Sequence, residues 1–157
     1  MCHITEVTTE EQIEQVRNLF TEYGAQLSVE YCVRKFDAEI AGLPGPYAPP
    51  QGKLLLATVV GQPVGCVGLR PFPSPKTCEM KRLFVRPGFR GGKIGRALVE
   101  HVLADGRALG YSSMRLDSHL PTMHAAIEMY RKFGFREVSA DPLEPTEGLI
   151  YMQLNLT

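Results

Sequence analysis

Hydrophobic residues recur along this chain at two spacings, one typical of helices and one of strands. Apolar residues three or four positions apart follow Thr8 and Glu11, which have the spacing of a capping box and predict a first helix: Ile13, Val16, Phe20 and Tyr23. A second set predicts another helix: Val29, Val33, Phe36 and Ile40. Residues 42–52, GLPGPYAPPQG, hold four prolines and three glycines, so we expect a long loop without regular structure.

Short apolar runs separated by turn residues follow this loop. The runs KLLLATVV and VGCVGLRPF, joined by GQP, predict an antiparallel hairpin, and CEMKRLFV predicts a third strand. Ile94, Leu98 and Val102 predict a helix that ends at Gly110, before the strand SSMRLDS. The segment PTMHAAIEMYRKFGF predicts a helix with Met123, Ala126, Ile127 and Tyr130 on one face, and FREV and GLIYMQLNL predict closing strands.

The order of these elements predicts the fold class. Two helices, three strands, a helix, a strand, a helix and two strands form a mixed α/β sheet. The chain has 157 residues, so we expect a single domain with one sheet, residues 1–157.

Composition excludes several classes of function. Seventeen basic residues balance 17 acidic ones, so no general nucleic-acid or membrane surface is indicated. The four cysteines form no C-x-x-C pair, so neither a zinc site nor a disulfide framework is favoured, and we expect no metal. The first residues, MCHITEVTTEEQ, do not resemble a signal peptide, and we expect a cytoplasmic protein with reduced thiols.

The segment VRPGFRGGKIGRALVEH, residues 85–101, combines glycines with positive charge at the start of a helix. Unpaired backbone N–H groups and the helix dipole make such a place suited to an anion. Six basic residues and no acidic one occupy the 16 positions from 81 to 96: Lys81, Arg82, Arg86, Arg90, Lys93 and Arg96. A tight turn or a solvated basic face is the alternative. Neither the P-loop pattern nor the dinucleotide-binding pattern fits these glycines.

The same segment resembles the phosphate loop of the GNAT superfamily of acetyl-CoA-dependent N-acetyltransferases, [Q/R]-x-x-G-x-[G/A], which follows a strand. Six residues occupy that loop, with lysine where the pattern has its first glycine: Arg90, Gly91, Gly92, Lys93, Ile94 and Gly95. The run AIEMYRKFGF, residues 126–135, resembles the family's A-I-x-L-Y-x-K-x-G-F segment. The resemblance implies a mostly antiparallel twisted sheet of about six or seven strands flanked by about four helices.

The resemblance also implies a reaction, in which an amine attacks the thioester of acetyl-CoA and the CoA thiolate leaves. The amine must lose a proton, and the developing oxyanion needs a backbone N–H donor. By resemblance, Tyr130 would be the acid near the sulfur and Glu79 the base, acting directly or through water. A core tyrosine and an ion-paired strand carboxylate are the alternatives for these two residues.

Further cofactor contacts follow from the same resemblance. Backbone groups of Leu83, Phe84 and Val85 would align the pantetheine arm, and Arg96 adds charge in the first helical turn. Met123 stands where many members have an asparagine, so we expect packing there. His119 and His124 are five positions apart and do not share a helical face, so they predict no metal pair.

The acceptor is a small-molecule or peptide amine by resemblance. We expect it near the N-terminal helices, the loop 42–52 and the late loop SADPLEPTEG, with these residues as candidate contacts: Tyr23, Tyr31, Tyr47, Arg70 and Glu144. Two other functions remain open, a CoA-binding regulatory module without turnover and a binding domain that uses the basic run. We expect a monomer or a homodimer.

Overall fold

All strands found among the described residues join one sheet. The computed structural model describes residues 1–26, 30–91, 93–120, 123–139 and 148–157, with the side chains of the second helix from Phe36 onward. The strands are β1 (Cys2–Glu6), β2 (Lys53–Val59), β3 (Gln62–Pro71), β4 (Thr77–Val85), β5 (Ser113–His119), β6 (Arg136–Val138) and β7 (Leu149–Asn155). The helices are α1 (Glu10–Gln26), α2 (Glu30–Ala41), α3 (Ile94–Ala108) and α4 (His124–Phe133).

The sheet has seven strands in the order β1-β2-β3-β4-β5-β7-β6. Neighbouring strands are antiparallel except for β4 and β5, which are parallel and pair only from Thr77–Glu79 to Ser113–Arg115. Each strand contributes side chains alternately to the two faces. One face packs on α3 and α4 around buried residues such as Leu98, Met114, Ile127 and Met152, and the other packs on α1 and α2 around Phe20, Phe36, Tyr47 and Phe84.

Beyond their three paired residues, β4 and β5 diverge, and β4 carries a bulge. Cys66 pairs with Phe84 but Gly68 pairs with Lys81, so Val67 of β3 faces both Arg82 and Leu83. Arg82 has a φ of 59°, in the left-handed region that L-residues rarely adopt. Such a bulge bends its strand and locally strengthens the twist. The described residues include no β5 partner for the second half of β4, which leaves an opening within the sheet.

The fold class and the element order agree with the sequence prediction, apart from several local features. The prediction omitted β1, which pairs with β2 at the sheet edge. The first helix is capped by Thr9 and Gln12 rather than by Thr8 and Glu11: Thr9 Oγ1 accepts a bond of 3.1 Å from Gln12 N, and Gln12 Oε1 accepts bonds from the Thr8 and Thr9 amides. The prediction was wrong by one position because both pairs have the required spacing.

The proline-rich loop is more ordered than its composition predicts. A single 3-10 turn spans Gly45–Tyr47, and the Tyr47 side chain is only 1% exposed. Its ring packs edge-on against Phe20 at 6.1 Å between centroids. The same ring lies directly over Gly68 of β3, where an added Cβ would be 2.6 Å from Tyr47 Cε1. Gly68 therefore allows the loop to close over the sheet, and Tyr47 belongs to the core rather than to an acceptor site.

The contact between Gly68 and Tyr47 predicts a stability difference between two Gly→Ala variants. Gly68→Ala forces the Tyr47 ring or the β3 backbone to move, and overpacking of this kind costs about 1–3 kcal/mol. Gly88→Ala is the matched control, because a Cβ there meets nothing within 4 Å. We expect urea denaturation to give a lower free energy of unfolding for Gly68→Ala only; equal values for the two variants would contradict this packing.

Candidate active site

The opening between β4 and β5 leads into a cavity of about 520 Å³. Its walls are the second half of β4, the end of β5, the last residues of α1, the loop before α3 and the first turns of α3 and α4. The lining includes ten of the eleven cofactor-binding residues predicted from the sequence: Leu83, Phe84, Val85, Arg90, Gly91, Lys93, Ile94, Gly95, Arg96 and Met123. Tyr130 also lines it, Gly92 lies outside the described residues, and Glu79 is not part of the lining.

The N-terminus of α3 opens onto this cavity. Lys93 O accepts the first intrahelical bond, from Ala97 N at 3.0 Å, so the amides of Ile94, Gly95 and Arg96 have no acceptor within the helix. These N–H groups and the dipole of a 15-residue helix favour a negatively charged ligand. The end of the cavity next to α3 therefore has the character of an anion site.

Lys93 occupies the position where the family pattern has glycine, and its backbone shows why glycine is usual there. Lys93 is the N-cap residue of α3, with φ 68° and ψ 10°. This left-handed conformation costs an L-residue about 1–2 kcal/mol and costs glycine almost nothing. Lysine at this position is therefore under local strain that glycine would not have.

Most of the basic run is neutralised by carboxylates. Four of its six cations form ion pairs within the protein: Lys81 with Asp117, Arg82 with Glu39, Arg86 with Glu22 and Arg96 with Glu100. Among the described residues, no carboxylate pairs with Arg90 or Lys93. The run is therefore no continuous strip of unpaired cations of the kind that a nucleic-acid footprint needs.

Arg90, in the loop before α3, connects the end of β4 to the end of α1. Its Nε donates to the carbonyl of Val85 at 2.8 Å, and its Nη2 donates to Gln26 Oε1 at 2.9 Å. The guanidinium lies 5.7 Å from the centroid of the Phe84 ring. Arg90 thus places its positive charge at the cavity, beside the end of β4.

The bulge in β4 is held by a buried ion pair. Nε and Nη2 of Arg82 donate to the two carboxylate oxygens of Glu39 at 2.8 and 3.1 Å, and Tyr47 Oη donates to Glu39 Oε2 at 3.1 Å. Burial alone would raise the pKa of Glu39, but the hydrogen bonds and charge of Arg82 outweigh it and lower that pKa. The strained backbone of Arg82 is therefore fixed by α2 and by the proline-rich loop.

Tyr130 stands on α4 with its phenol at the cavity. The side chain is 6% exposed, and no described residue forms a hydrogen bond with its hydroxyl. Burial raises the pKa of Tyr130, and the nearby Tyr23 and Asp117 raise it further. Tyr130 therefore stays protonated at neutral pH and is a hydrogen-bond donor, but it is a weaker acid than a tyrosine in water.

Glu79 is held by a neighbouring arginine. Arg70, its partner in the β3–β4 register, donates from Nε to Glu79 Oε1 at 3.0 Å, and Arg70 Nη2 lies 2.9 Å from the same oxygen. The carboxylate side chain is 10% exposed. Glu79 lies two residues before Lys81, which lines the cavity. The base assignment of Glu79 stays a prediction.

Met123 and Tyr23, two residues singled out from the sequence, both line the cavity. Met123 is the N-cap residue of α4, and its sulfur accepts a hydrogen bond of 3.3 Å from Ser118 Oγ. Tyr23 lines the cavity, with its ring 5.7 Å from that of Phe84. The Tyr31 side chain, Glu144 and residues 140–147 of the late loop lie outside the described residues.

Asp117 is a cavity residue that the sequence analysis missed. It is the one carboxylate among the described residues that line the cavity, and its Oδ2 lies 3.2 Å from Lys81 Nζ. The alternation in β5 could have identified it, because Arg115, Asp117 and His119 occupy every second position, between the buried residues Met114, Leu116 and Ser118. Its side chain is 28% exposed.

The described helices include none long and apolar enough to cross a bilayer.

The fold is shared with solved acetyltransferase structures. The structure superposes on a GNAT-family acetyltransferase of Staphylococcus aureus Mu50 with a TM-score of 0.79 and 20% identity, over 100% of both chains. It also matches the PaiA N-acetyltransferase of Thermoplasma acidophilum, solved in complex with coenzyme A, with a TM-score of 0.77 and 19% identity over 99% of both chains.

The sequence places the chain within a family of this class. Residues 13–135 match the model of the acetyltransferase (GNAT) family. An uncharacterized N-acetyltransferase of Schizosaccharomyces pombe is 36% identical over 155 residues, which cover 98% of this chain and 94% of that protein. The chain therefore belongs to the GNAT acetyltransferase family and is an acyltransferase. The family resemblance read from the phosphate loop and the AIEMYRKFGF segment is confirmed.

The strained Lys93 backbone predicts that glycine stabilises this position. Lys93→Gly removes a cost of about 1–2 kcal/mol in the folded state and adds about 0.4–1 kcal/mol of chain entropy to the unfolded state. We expect Lys93→Gly to have a free energy of unfolding about 1 kcal/mol above that of Lys93→Ala, which also lacks the charge but keeps the strain. Urea denaturation of both variants measures the difference, and a more stable alanine variant would contradict it.

The raised pKa of Tyr130 predicts a loss of stability in alkali. An unfolded tyrosine ionises near pH 10. Because the folded phenol has a higher pKa, its contribution is complete below about pH 10 and is lost as the pH rises toward the folded pKa. The free energy of unfolding, measured in urea from pH 8 to pH 11, should fall more steeply for the wild type than for Tyr130→Phe. Parallel curves would show that Tyr130 ionises normally.

Proposed function

We propose that the chain transfers an acetyl group from acetyl-CoA to a primary amine by direct attack on the thioester. The observation that carries this proposal is the cavity itself, which joins an anion-binding helix N-terminus to the opened edge of β4 and to the phenol of Tyr130. Each of these features meets one demand of the reaction: binding of a polyanionic carrier, alignment of its arm and stabilisation of the leaving sulfur.

The residues around α3 fit the pyrophosphate of CoA. Free amides at the helix start supply donors, and a Cβ added at Gly91 would meet nothing within 4 Å, so this loop leaves space for a ligand. We assign the pyrophosphate to the following residues: Arg90, Gly91, Gly92, Lys93, Ile94, Gly95 and Arg96. Arg96 shares its charge with Glu100, so Arg90 and Lys93 contribute most of the positive charge.

The second half of β4 fits the pantetheine arm. Leu83, Phe84 and Val85 lie on the edge of β4 from which β5 has diverged. Their backbone groups on this edge therefore face the cavity rather than a neighbouring strand. An extended arm can bond to them as an added strand would. We assign an N–H near Leu83, next to the bulge, to the thioester oxygen, where negative charge develops. Met123 contributes packing.

Acetyl-CoA supplies an activated acyl carbon and a thiolate leaving group. The chain must remove a proton from the amine, and we assign this role to Glu79 acting through water, since Arg70 occupies one of its oxygens. Tyr130 donates a hydrogen bond to the sulfur. Its raised pKa makes complete proton transfer to a thiolate unfavourable, so its contribution is hydrogen bonding to the departing charge.

Thermal melting with acetyl-CoA tests the cofactor site. A ligand at about 100 times its Kd adds roughly 2.7 kcal/mol, which corresponds to a Tm rise of about 5–10 °C for a chain of this size. We expect this rise with acetyl-CoA and CoA and its loss in Arg90→Glu. Arg131→Glu is the matched control, because Arg131 is exposed on α4, where it pairs with Glu128.

Release of CoA thiol in the presence of a panel of amines tests turnover. We expect release that depends on both amine and protein, and a loss of about 10- to 100-fold in kcat for Tyr130→Phe, the usual effect of one hydrogen bond to a charged group. Binding of acetyl-CoA with no release for any amine would contradict the proposal and favour a regulatory CoA-binding module. No rise in Tm at millimolar acetyl-CoA would refute the cofactor site itself.

A further inference from the structure

The face of β5 that carries Asp117 continues away from the cavity as a polar strip. Residues 113–119 alternate between partly exposed and buried, so Arg115, Asp117 and His119 share the partly exposed face. On β7, Tyr151 pairs with Asp117 and Gln153 pairs with Arg115, which extends the same face across the next strand. The opposite face of β5, with Met114 and Leu116, packs in the core around α3 and α4.

Asp117 has one carboxylate oxygen available. Lys81 Nζ lies 3.2 Å from Oδ2, and among the described residues none forms a hydrogen bond with Oδ1. Asp117 lines the cavity, and its side chain is partly accessible. Because a carboxylate has about four acceptor directions, Asp117 can bind a second cation without losing Lys81. A primary amine arrives at neutral pH as such a cation.

Arg115 lies two positions before Asp117, and its guanidinium stacks on an aromatic ring. The guanidinium carbon is 4.8 Å from the centroid of the Phe72 ring, which holds the side chain by stacking. Glu79 faces Arg115 in the β4–β5 register, but its Oε1 is engaged by Arg70. In the described part of the chain, no carboxylate forms an ion pair with Arg115. A planar guanidinium held in this way suits a carboxylate bound through two parallel hydrogen bonds.

The order of these two residues matches the orientation that the reaction needs. Strands β4 and β5 diverge after the pair formed by Glu79 and Arg115. Asp117 therefore lies at the cavity, and Arg115 lies two positions earlier on β5, away from it. Residues two apart on a strand are separated by about 6.5–7 Å. A small molecule with an amine and a carboxylate a few bonds apart can contact both side chains, with its amine directed toward the cavity.

We propose that the acceptor is a free amino acid, with its ammonium group bound by Asp117 and its carboxylate bound by Arg115. This proposal rests on the proposed acetyl transfer and specifies its acceptor class. A peptide N-terminus or a simple amine leaves Arg115 without its anionic partner. An amino acid amide makes the sharpest comparison, because it keeps the amine and side chain and replaces only the carboxylate.

Initial rates of CoA release with the common protein amino acids and their amides test the proposal. For the best amino acid we expect kcat/KM to exceed that of its amide by about 10- to 100-fold, the usual effect of hydrogen bonds to a charged group. Arg115→Met should raise KM for the amino acid by a similar factor and leave KM for the amide unchanged. Arg115→Lys should restore part of the preference for the amino acid over its amide, since lysine keeps the positive charge but cannot form two parallel hydrogen bonds to a carboxylate.

Two further variants separate the roles of the side chains. Asp117→Asn should raise KM for the amino acid and for its amide by the same factor, because both share the ammonium group. Arg131→Met removes an arginine from the exposed side of α4 and should leave both substrates unchanged. Arg115→Met should keep the Tm rise with acetyl-CoA, which shows that the variant is folded and that its cofactor site is intact.

The outcomes distinguish this proposal from the one on which it rests. Equal turnover of amino acids and amides, or an equal effect of Arg115→Met on both, would overturn the amino acid proposal and leave acetyl transfer supported. Turnover of simple amines or peptides alone would do the same. Acetyl-CoA binding without release for any acceptor would overturn both proposals.

Discussion

The divergence of β4 from β5 is the constraint on which the site depends. Parallel strands that stayed paired would bury the backbone groups of Leu83–Val85 in hydrogen bonds and leave no cavity within the sheet. Strands β4 and β5 separate after three residue pairs, and the bulge at Arg82 changes the direction of the rest of β4. The start of α3, which follows this half of β4, is thereby placed at one end of the same cavity, and α4 brings Tyr130 to its wall.

Ion pairs hold this open arrangement. The bulge has a backbone strain that only local contacts can offset, and the bidentate bond between Arg82 and Glu39 fastens it to α2. Arg86 bonds Glu22 on α1, just past the end of β4. Lys81 and Asp117 face each other across the diverging strands. Of the six cations that form one basic run in the sequence, three are in ion pairs between different elements: Lys81, Arg82 and Arg86. Arg96 pairs with Glu100 within α3, and among the described residues no carboxylate pairs with Arg90 or Lys93.

Agreement between sequence and structure follows the strength of the local signal. Long periodic segments such as α1 and α3 and the β2–β3 hairpin were predicted because their apolar residues repeat at one spacing. The edge strand β1 was missed because it is short, with only Cys2 and Ile4 as apolar residues packed against the core. The order of Tyr47 was missed because its burial comes from Gly68, on a strand more than twenty positions away. Asp117 was missed because its neighbours across the cavity are distant in the chain.

The sequence by itself determined the family and, apart from β1, the element order, because each of these depends on residues that are close together in the chain. The phosphate loop and the roles of Tyr130 and of the backbone after Glu79 stay predictions that rest on their place in family segments. Only the tertiary structure decided which cations are neutralised, that Glu79 is engaged by Arg70, and that Asp117 and Arg115 share a face beside the cavity. These contacts depend on the register between strands, which no local pattern of residues encodes. Burial is likewise a property of the folded chain, and it raises the pKa of Tyr130.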